Sequence, residues 1–98
     1  MTTSVTIVTP LATGIGVTDD TLTVDLSGGR TVSVPLACYP RLLSATTQER
    51  SNWKLVALGE GMHWPDVDED ISVASIIAGR PSTESAASLQ RWLTERKA

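Results

Sequence analysis

The chain has 98 residues, which is enough for one hydrophobic core but not for two independently folding domains. Its content of 41% hydrophobic and 19% charged residues is typical of globular proteins and excludes a disordered chain. The formal net charge of -3 disfavours nucleic acid and anionic membranes as partners, because both require clustered Lys and Arg.

A single cysteine, Cys38, excludes an internal disulfide and indicates a reducing compartment. The first basic residue is Arg30, so the chain does not begin with the basic segment of a signal peptide. Because no apolar run approaches the ~20 residues of a membrane span, we expect a soluble cytoplasmic protein.

Alternating apolar residues predict the first strands. Val5, Ile7, Ile15 and Val17 favour two short strands or one bent edge strand within residues 1–18. A hairpin then pairs residues 22–26 with residues 32–36, because the intervening Gly28-Gly29 tolerates the positive φ angles of a tight turn.

Two short helices are predicted next. Pro40 suits a first helical position, and Thr46 with Glu49 has the spacing of a capping box that starts a second helix reaching Trp53. A second hairpin should follow across Gly59-Glu60-Gly61, in a register that sets Leu58 opposite Met62, Val56 opposite Trp64 and His63 opposite Ala57.

Two further helices complete the chain. Ser72 is the predicted N-cap of a helix that ends at Gly79 and carries Val73, Ile76 and Ile77 on one side. A terminal helix capped by Ser82 or Thr83 carries an apolar stripe that docks on the domain or on another copy. The fold class is therefore α+β, with a small antiparallel sheet of four or five strands (two hairpins) covered by short helices in residues 1–80, and a helical extension in residues 81–98.

The acidic stretch Asp66, Asp68, Glu69 and Asp70 is the main candidate site. Close carboxylates repel one another by about 1 kcal/mol per pair in water, and a following helix N-terminus returns only ~0.3–1 kcal/mol to each. The stretch therefore requires cations, which Arg41, Arg50, a metal ion or a basic partner would supply.

A metal site is weakly indicated. Asp66, Asp68 and Asp70 match the opening of a calcium-binding EF-hand loop, but Ile71 and Ile77 stand where that loop needs Gly and Glu. His63 could join neighbouring acids in a metal or acid–base site, although no second His or Cys pair completes a ligand set. We predict no catalytic residues, metal or cofactor.

The three tryptophans divide by context. Since the chain has no Phe, Trp53 and Trp64 are predicted core residues, whereas Trp92 lies on a polar helix and is the better candidate for contact with another chain.

A family resemblance rests on motifs in the middle of the chain. Tyr39-Pro40-Arg41-Leu42-Leu43, Arg50, Trp53 and the signature His63-Trp64-Pro65-x-x-Asp68-Glu69-Asp70-Ile71 resemble the DUF2442 family of small prokaryotic proteins, over about Val17 to Gly79. The resemblance implies a compact α+β domain with no established activity. It also implies association with a second small protein in toxin–antitoxin-like pairs.

Three functions follow as hypotheses. The first is a non-enzymatic partner-binding protein, antitoxin-like, that meets a small basic protein through Asp66, Asp68, Glu69, Asp70 or Trp92, or forms a homo-oligomer through its C-terminal helix. The second is a metal-dependent or acid–base enzyme centred on His63. The third is a DNA-binding regulator, which needs basic side chains on one face, either Arg30, Arg41 and Arg50 or the terminal Arg91, Arg96 and Lys97.

Overall fold

The computed structural model describes the backbone of residues 10–97 and the side chains of residues 10–96. The strand prediction around Val5 and Ile7 lies outside this range. The first sheet has the antiparallel order β1 (Ala12–Val17), β2 (Thr21–Leu26) and β3 (Thr31–Pro35). Leu22 pairs with Val34 and Val24 with Val32, so the predicted hairpin is confirmed.

The connecting helices also follow the sequence pattern. A 3-10 turn at Leu36–Cys38 leads into α1 (Pro40–Leu43) and α2 (Thr47–Ser51). The Glu49 amide donates to Thr46 Oγ1 over 3.1 Å, and the Thr46 amide donates to Glu49 Oε1 over 2.8 Å, which confirms the capping box.

A second antiparallel sheet contains β4 (Lys54–Val56), β5 (Gly61–Trp64) and β6 (Glu69–Ser72). The residues described thus form two three-stranded sheets, and the prediction of one sheet of four or five strands is wrong in that respect. The α+β class is confirmed.

The predicted register of the second hairpin is wrong by three residues. Leu55, not Leu58, lies opposite Met62, and Lys54 lies opposite His63. Strand β4 ends early because Ala57 (φ 51°) and Leu58 (φ 58°) adopt left-handed conformations. Gly59 at φ 98° continues this turn, and a Cβ there would lie 2.8 Å from the Ala12 carbonyl oxygen, so the position requires glycine.

Two more helices follow β6. Ser72 Oγ accepts from the Ser75 amide over 3.1 Å and caps α3 (Val73–Ile77), as predicted, although Ile77 is exposed rather than packed on the core. Helix α4 (Ala86–Lys97) begins later than predicted, where Ser85 Oγ accepts from the Ser88 amide. None of the helices described is long and apolar enough to cross a membrane.

The core joins the two sheets through the short helices between them. Trp64 is fully buried, and its Nε1 donates to the Arg50 carbonyl oxygen over 3.1 Å. Trp53 is half-buried and packs against this core. The other fully buried large side chains are Leu22, Leu36, Leu42, Met62, Val24, Val67 and Val73.

Candidate functional site

The arginines that were predicted to neutralise the acidic stretch form other contacts. Arg50 is buried, and its guanidinium donates to the carbonyl oxygens of Leu42 and Leu43 over 2.9 Å each. Its remaining nitrogen pairs with Asp19 over 3.0 Å. Arg50 therefore satisfies the C-terminal carbonyls of α1 instead of the acids.

Arg41 pairs with Glu84, a residue that precedes α4. Arg41 Nε and Nη2 donate to the Glu84 carboxylate over 2.8 and 2.6 Å, and Nη1 donates to the Val67 carbonyl oxygen over 3.1 Å. The hydrogen bonds from Arg41 lower the pKa of Glu84. This contact ties the segment before α4 to α1 and to the loop that carries Asp66 and Asp68.

Three carboxylates of the acidic stretch remain exposed: Asp66, Asp68 and Asp70, here called the acidic surface. Asp66 accepts a hydrogen bond from Asn52 over 2.9 Å, and Asp68 occupies a left-handed turn position at φ 51°. Among the side chains that the structure describes, no Lys or Arg lies within ion-pairing distance of the three. Asp70 lies 2.7 Å from His63 Nδ1, and all three carboxylates are exposed to solvent.

Glu69 differs from its neighbours because β6 turns it towards the interior. It lies opposite the buried Trp64, and its Oε2 has no solvent exposure and no hydrogen-bond partner among the described residues. Burial raises the pKa of Glu69 from the ordinary 4.5 to about 7; the Asp70 amide and Arg41 oppose this shift, whereas Glu84 and Asp70 add to it.

A groove of about 850 Å³ runs along β6 and is here called the β6 groove. One wall is Glu69–Ser72 and the other is residues 80–83, while Tyr39 and Met62 form part of the floor. The groove combines apolar surface with a few convergent polar groups, a composition typical of binding sites. No sequence pattern predicts this groove, because its two walls are separated in the chain and its floor comes from other elements.

His63 lies on the opposite face of the second sheet. Its Nδ1 is 2.7 Å from Asp70 Oδ1, and Lys54 pairs with it on the other side in the strand register. His63 does not line the β6 groove, so the groove lacks the histidine that the enzyme hypothesis requires. Within residues 10–96, no group of three or more His, Cys, Asp or Glu side chains is arranged to hold a metal ion.

Trp92 contacts its own chain. The guanidinium carbons of Arg41 and Arg96 lie 5.0 and 4.6 Å from the centre of its ring, one of the favourable geometries for cation–π attraction. Arg96 also pairs with Glu49 over 2.7 Å, and this pair together with the Thr46 amide lowers the pKa of Glu49 to about 2. Helix α4 therefore docks on the domain, and three arginines of the DNA hypothesis, Arg41, Arg50 and Arg96, are ion-paired.

The protein is a small α+β domain. It has two antiparallel sheets, short connecting helices and an acid-lined groove along an edge strand. The chain belongs to the DUF2442 family, described as a protein of unknown function, whose sequence profile matches residues 12–82. This confirms the predicted family. The matched region ends before α4.

One similar solved structure is the crystal structure of a protein of unknown function from Rhodospirillum rubrum ATCC 11170. It is 26% identical to this chain with a TM-score of 0.66, and the match covers 76% of this chain and 93% of that chain. Among curated proteins, none matches the chain.

Replacing Glu69 with Gln should stabilise the protein at pH 8 by about 1–2 kcal/mol, after allowance for solvent screening. The pKa of Glu69 in the folded protein lies above its ordinary value, so ionisation of Glu69 lowers the stability of the fold. This loss is absent below about pH 4.5 and develops as the pH rises through about 7. Glutamine resembles the protonated acid in shape and carries no charge, so it avoids the cost of burying an ionised carboxylate at pH 8.

The measurement is the thermal midpoint at pH 4.5 and pH 8, where 1 kcal/mol corresponds to about 4–8 °C. The exposed Asp68→Asn change serves as the control and should shift stability by less than about 0.5 kcal/mol at either pH. Equal midpoints for wild type and Glu69→Gln at pH 8 would show that Glu69 is not desolvated.

Proposed function

We propose that this protein is a non-enzymatic, cytoplasmic partner-binding protein, the antitoxin-like member of a pair, whose acidic surface contacts a small basic protein. The observation that carries the proposal is the exposure of Asp66, Asp68 and Asp70 without an ion pair to Lys or Arg among the described side chains. The resemblance of its central motifs to a family associated with second small proteins supports the same function.

Electrostatics favours a basic partner over an uncharged one. Like charges that lie close together repel by about 1 kcal/mol per pair in water, and a bound cation relieves that repulsion. Complementary charge also accelerates encounter and fixes the orientation of the complex more than it adds affinity. The ion pairs of Arg41 with Glu84 and of Arg50 with Asp19 support the proposal that a cation for these acids comes from another molecule.

Affinity capture from the native host tests the proposal. Replacing Asp66, Asp68 and Asp70 with Asn should deplete the captured partner at least about tenfold in quantitative mass spectrometry, as expected for lost charge complementarity. A control variant with Asp20→Asn, Asp25→Asn and Glu95→Gln removes the same number of exposed charges elsewhere and should retain the partner. An identical partner list for all three proteins would refute the acidic-surface proposal.

A further inference from the structure

Strand β6 is an edge strand of the second sheet and lines the β6 groove. Strand β6 pairs with β5 on one side, and in the described part of the chain no strand pairs with its other side. All four residues of β6, Glu69–Ser72, line the groove. An edge strand presents unpaired amide and carbonyl groups, and an extended segment of another chain can pair with them.

The opposite wall of the groove is held in place by hydrogen bonds. The Ser82 amide donates to the Cys38 carbonyl oxygen over 2.8 Å, and the hydroxyl of Tyr39 donates to the Arg80 carbonyl oxygen over 3.2 Å. Both contacts anchor residues 80–83 to the 3-10 turn and its end. The groove is therefore a preformed cleft between β6 and an anchored segment, which lowers the ordering cost of binding an extended peptide.

The charge of the groove selects a cation. The acids Glu60 and Glu69 line it against one base, Arg80, whereas the Asp70 carboxylate is bonded to His63 on the other face of the sheet. The partly or fully exposed lining residues Val56, Ala57 and Pro81 offer apolar surface for the methylene groups of a long side chain. Glu69 Oε2 is buried without a partner, so a guanidinium or ammonium group that reached it would supply the missing hydrogen bond.

We propose that the β6 groove binds an extended segment of the partner protein, which pairs with the free edge of β6 and places a Lys or Arg side chain against Glu69. This inference rests on the proposed function in that the partner is basic. It adds a second contact to the acidic surface, because Asp66 and Asp68 do not line the groove. The burial that raises the pKa of Glu69 is consistent with a carboxyl that lacks its cation.

A displayed library of random seven-residue peptides, selected on the full chain, tests this proposal. We expect Lys or Arg to be enriched at least about fivefold at one position between apolar residues. The amide resonances of Glu69–Ser72 and Thr83 should shift when the selected peptide binds.

Two variants separate the groove from the acidic surface. Glu69→Gln should weaken the selected peptide at least about tenfold, the effect of losing one charge-assisted contact, while keeping the fold. Asp66→Asn with Asp68→Asn should bind the peptide within about twofold of wild type, because both residues lie outside the groove.

Selection of no peptide, enrichment of acidic or purely apolar peptides, or resonance shifts confined to other residues would overturn the groove proposal. If the peptide results contradict the groove proposal while the triple Asp→Asn variant still loses its native partner, the proposed function stands and the groove proposal is wrong. If the triple variant keeps its native partner while the peptide results hold, the acidic-surface proposal falls instead.

Discussion

Replacing Arg50 with Ala should destabilise the protein by about 3 kcal/mol, because two carbonyl oxygens at the end of α1 then lose their donors inside the fold. The Arg50 guanidinium donates to Leu42 and Leu43 at 2.9 Å each, and the residue is only 8% exposed. A small domain has a total stability of about 5–15 kcal/mol, so this loss is a large fraction of it.

Urea unfolding at pH 7 measures this effect. Arg50→Lys keeps the charge but lacks the planar fork of donors, so it should recover less than half of the loss. Asp19→Asn should cost less than about 0.5 kcal/mol, because the Asp19 side chain is 99% exposed and an exposed ion pair contributes little. A loss in Asp19→Asn as large as in Arg50→Ala would assign the role of Arg50 to the ion pair instead of the carbonyls.

Arg41→Ala should release α4 from the domain and cost about 2 kcal/mol. The change removes the bidentate contact with Glu84, the hydrogen bond to Val67 and one of the two guanidinium groups near Trp92. It also removes a positive charge that opposes the raised pKa of Glu69, so that pKa should rise further.

Amide hydrogen exchange in α4 measures the release of the helix. Protection of residues 89–96 should fall in Arg41→Ala, whereas protection in β2 should change only by the global loss of stability. Arg96→Ala is the matched control, because it removes the other guanidinium near Trp92 and the more exposed pair with Glu49. If α4 exchanged at the same rate in wild type and Arg41→Ala, Glu84 and Trp92 would not hold the helix.

Sequence patterns within a few residues correctly predicted the first hairpin and the helix cap. Alternating apolar residues around Gly28-Gly29 gave the first hairpin, and the spacing of Thr46 and Glu49 gave the capping box, because each depends on residues a few positions apart. The family resemblance was likewise carried by a contiguous signature and is confirmed by the match over residues 12–82.

No local sequence pattern indicated the contacts between residues far apart in the chain. Strand β6 was missed because its sequence, Glu69-Asp70-Ile71-Ser72, has one apolar residue and reads as part of an acidic loop. The register of β4 and β5 was wrong because nothing in the identities of Ala57 and Leu58 indicates a left-handed conformation. The alternation of Glu69 and Ile71 was the one available hint that Glu69 faces the interior.

The ion pairs also depend on the tertiary fold. Arg41 was a candidate partner of the acidic stretch, yet Glu84 reaches it from 43 positions further along the chain. The acidic stretch consequently divides into two parts with different surroundings. Asp66, Asp68 and Asp70 are exposed and form the acidic surface, whereas β6 turns the Glu69 carboxylate inward.

The rate of association with the captured partner, measured by stopped flow at low and high salt, tests the acidic surface most directly. We expect wild type to associate at least about tenfold faster in 50 mM than in 500 mM salt, and the combined Asp66→Asn, Asp68→Asn and Asp70→Asn changes to abolish most of this difference. An association rate that is the same for both proteins at both salt concentrations would contradict a binding site formed by exposed carboxylates.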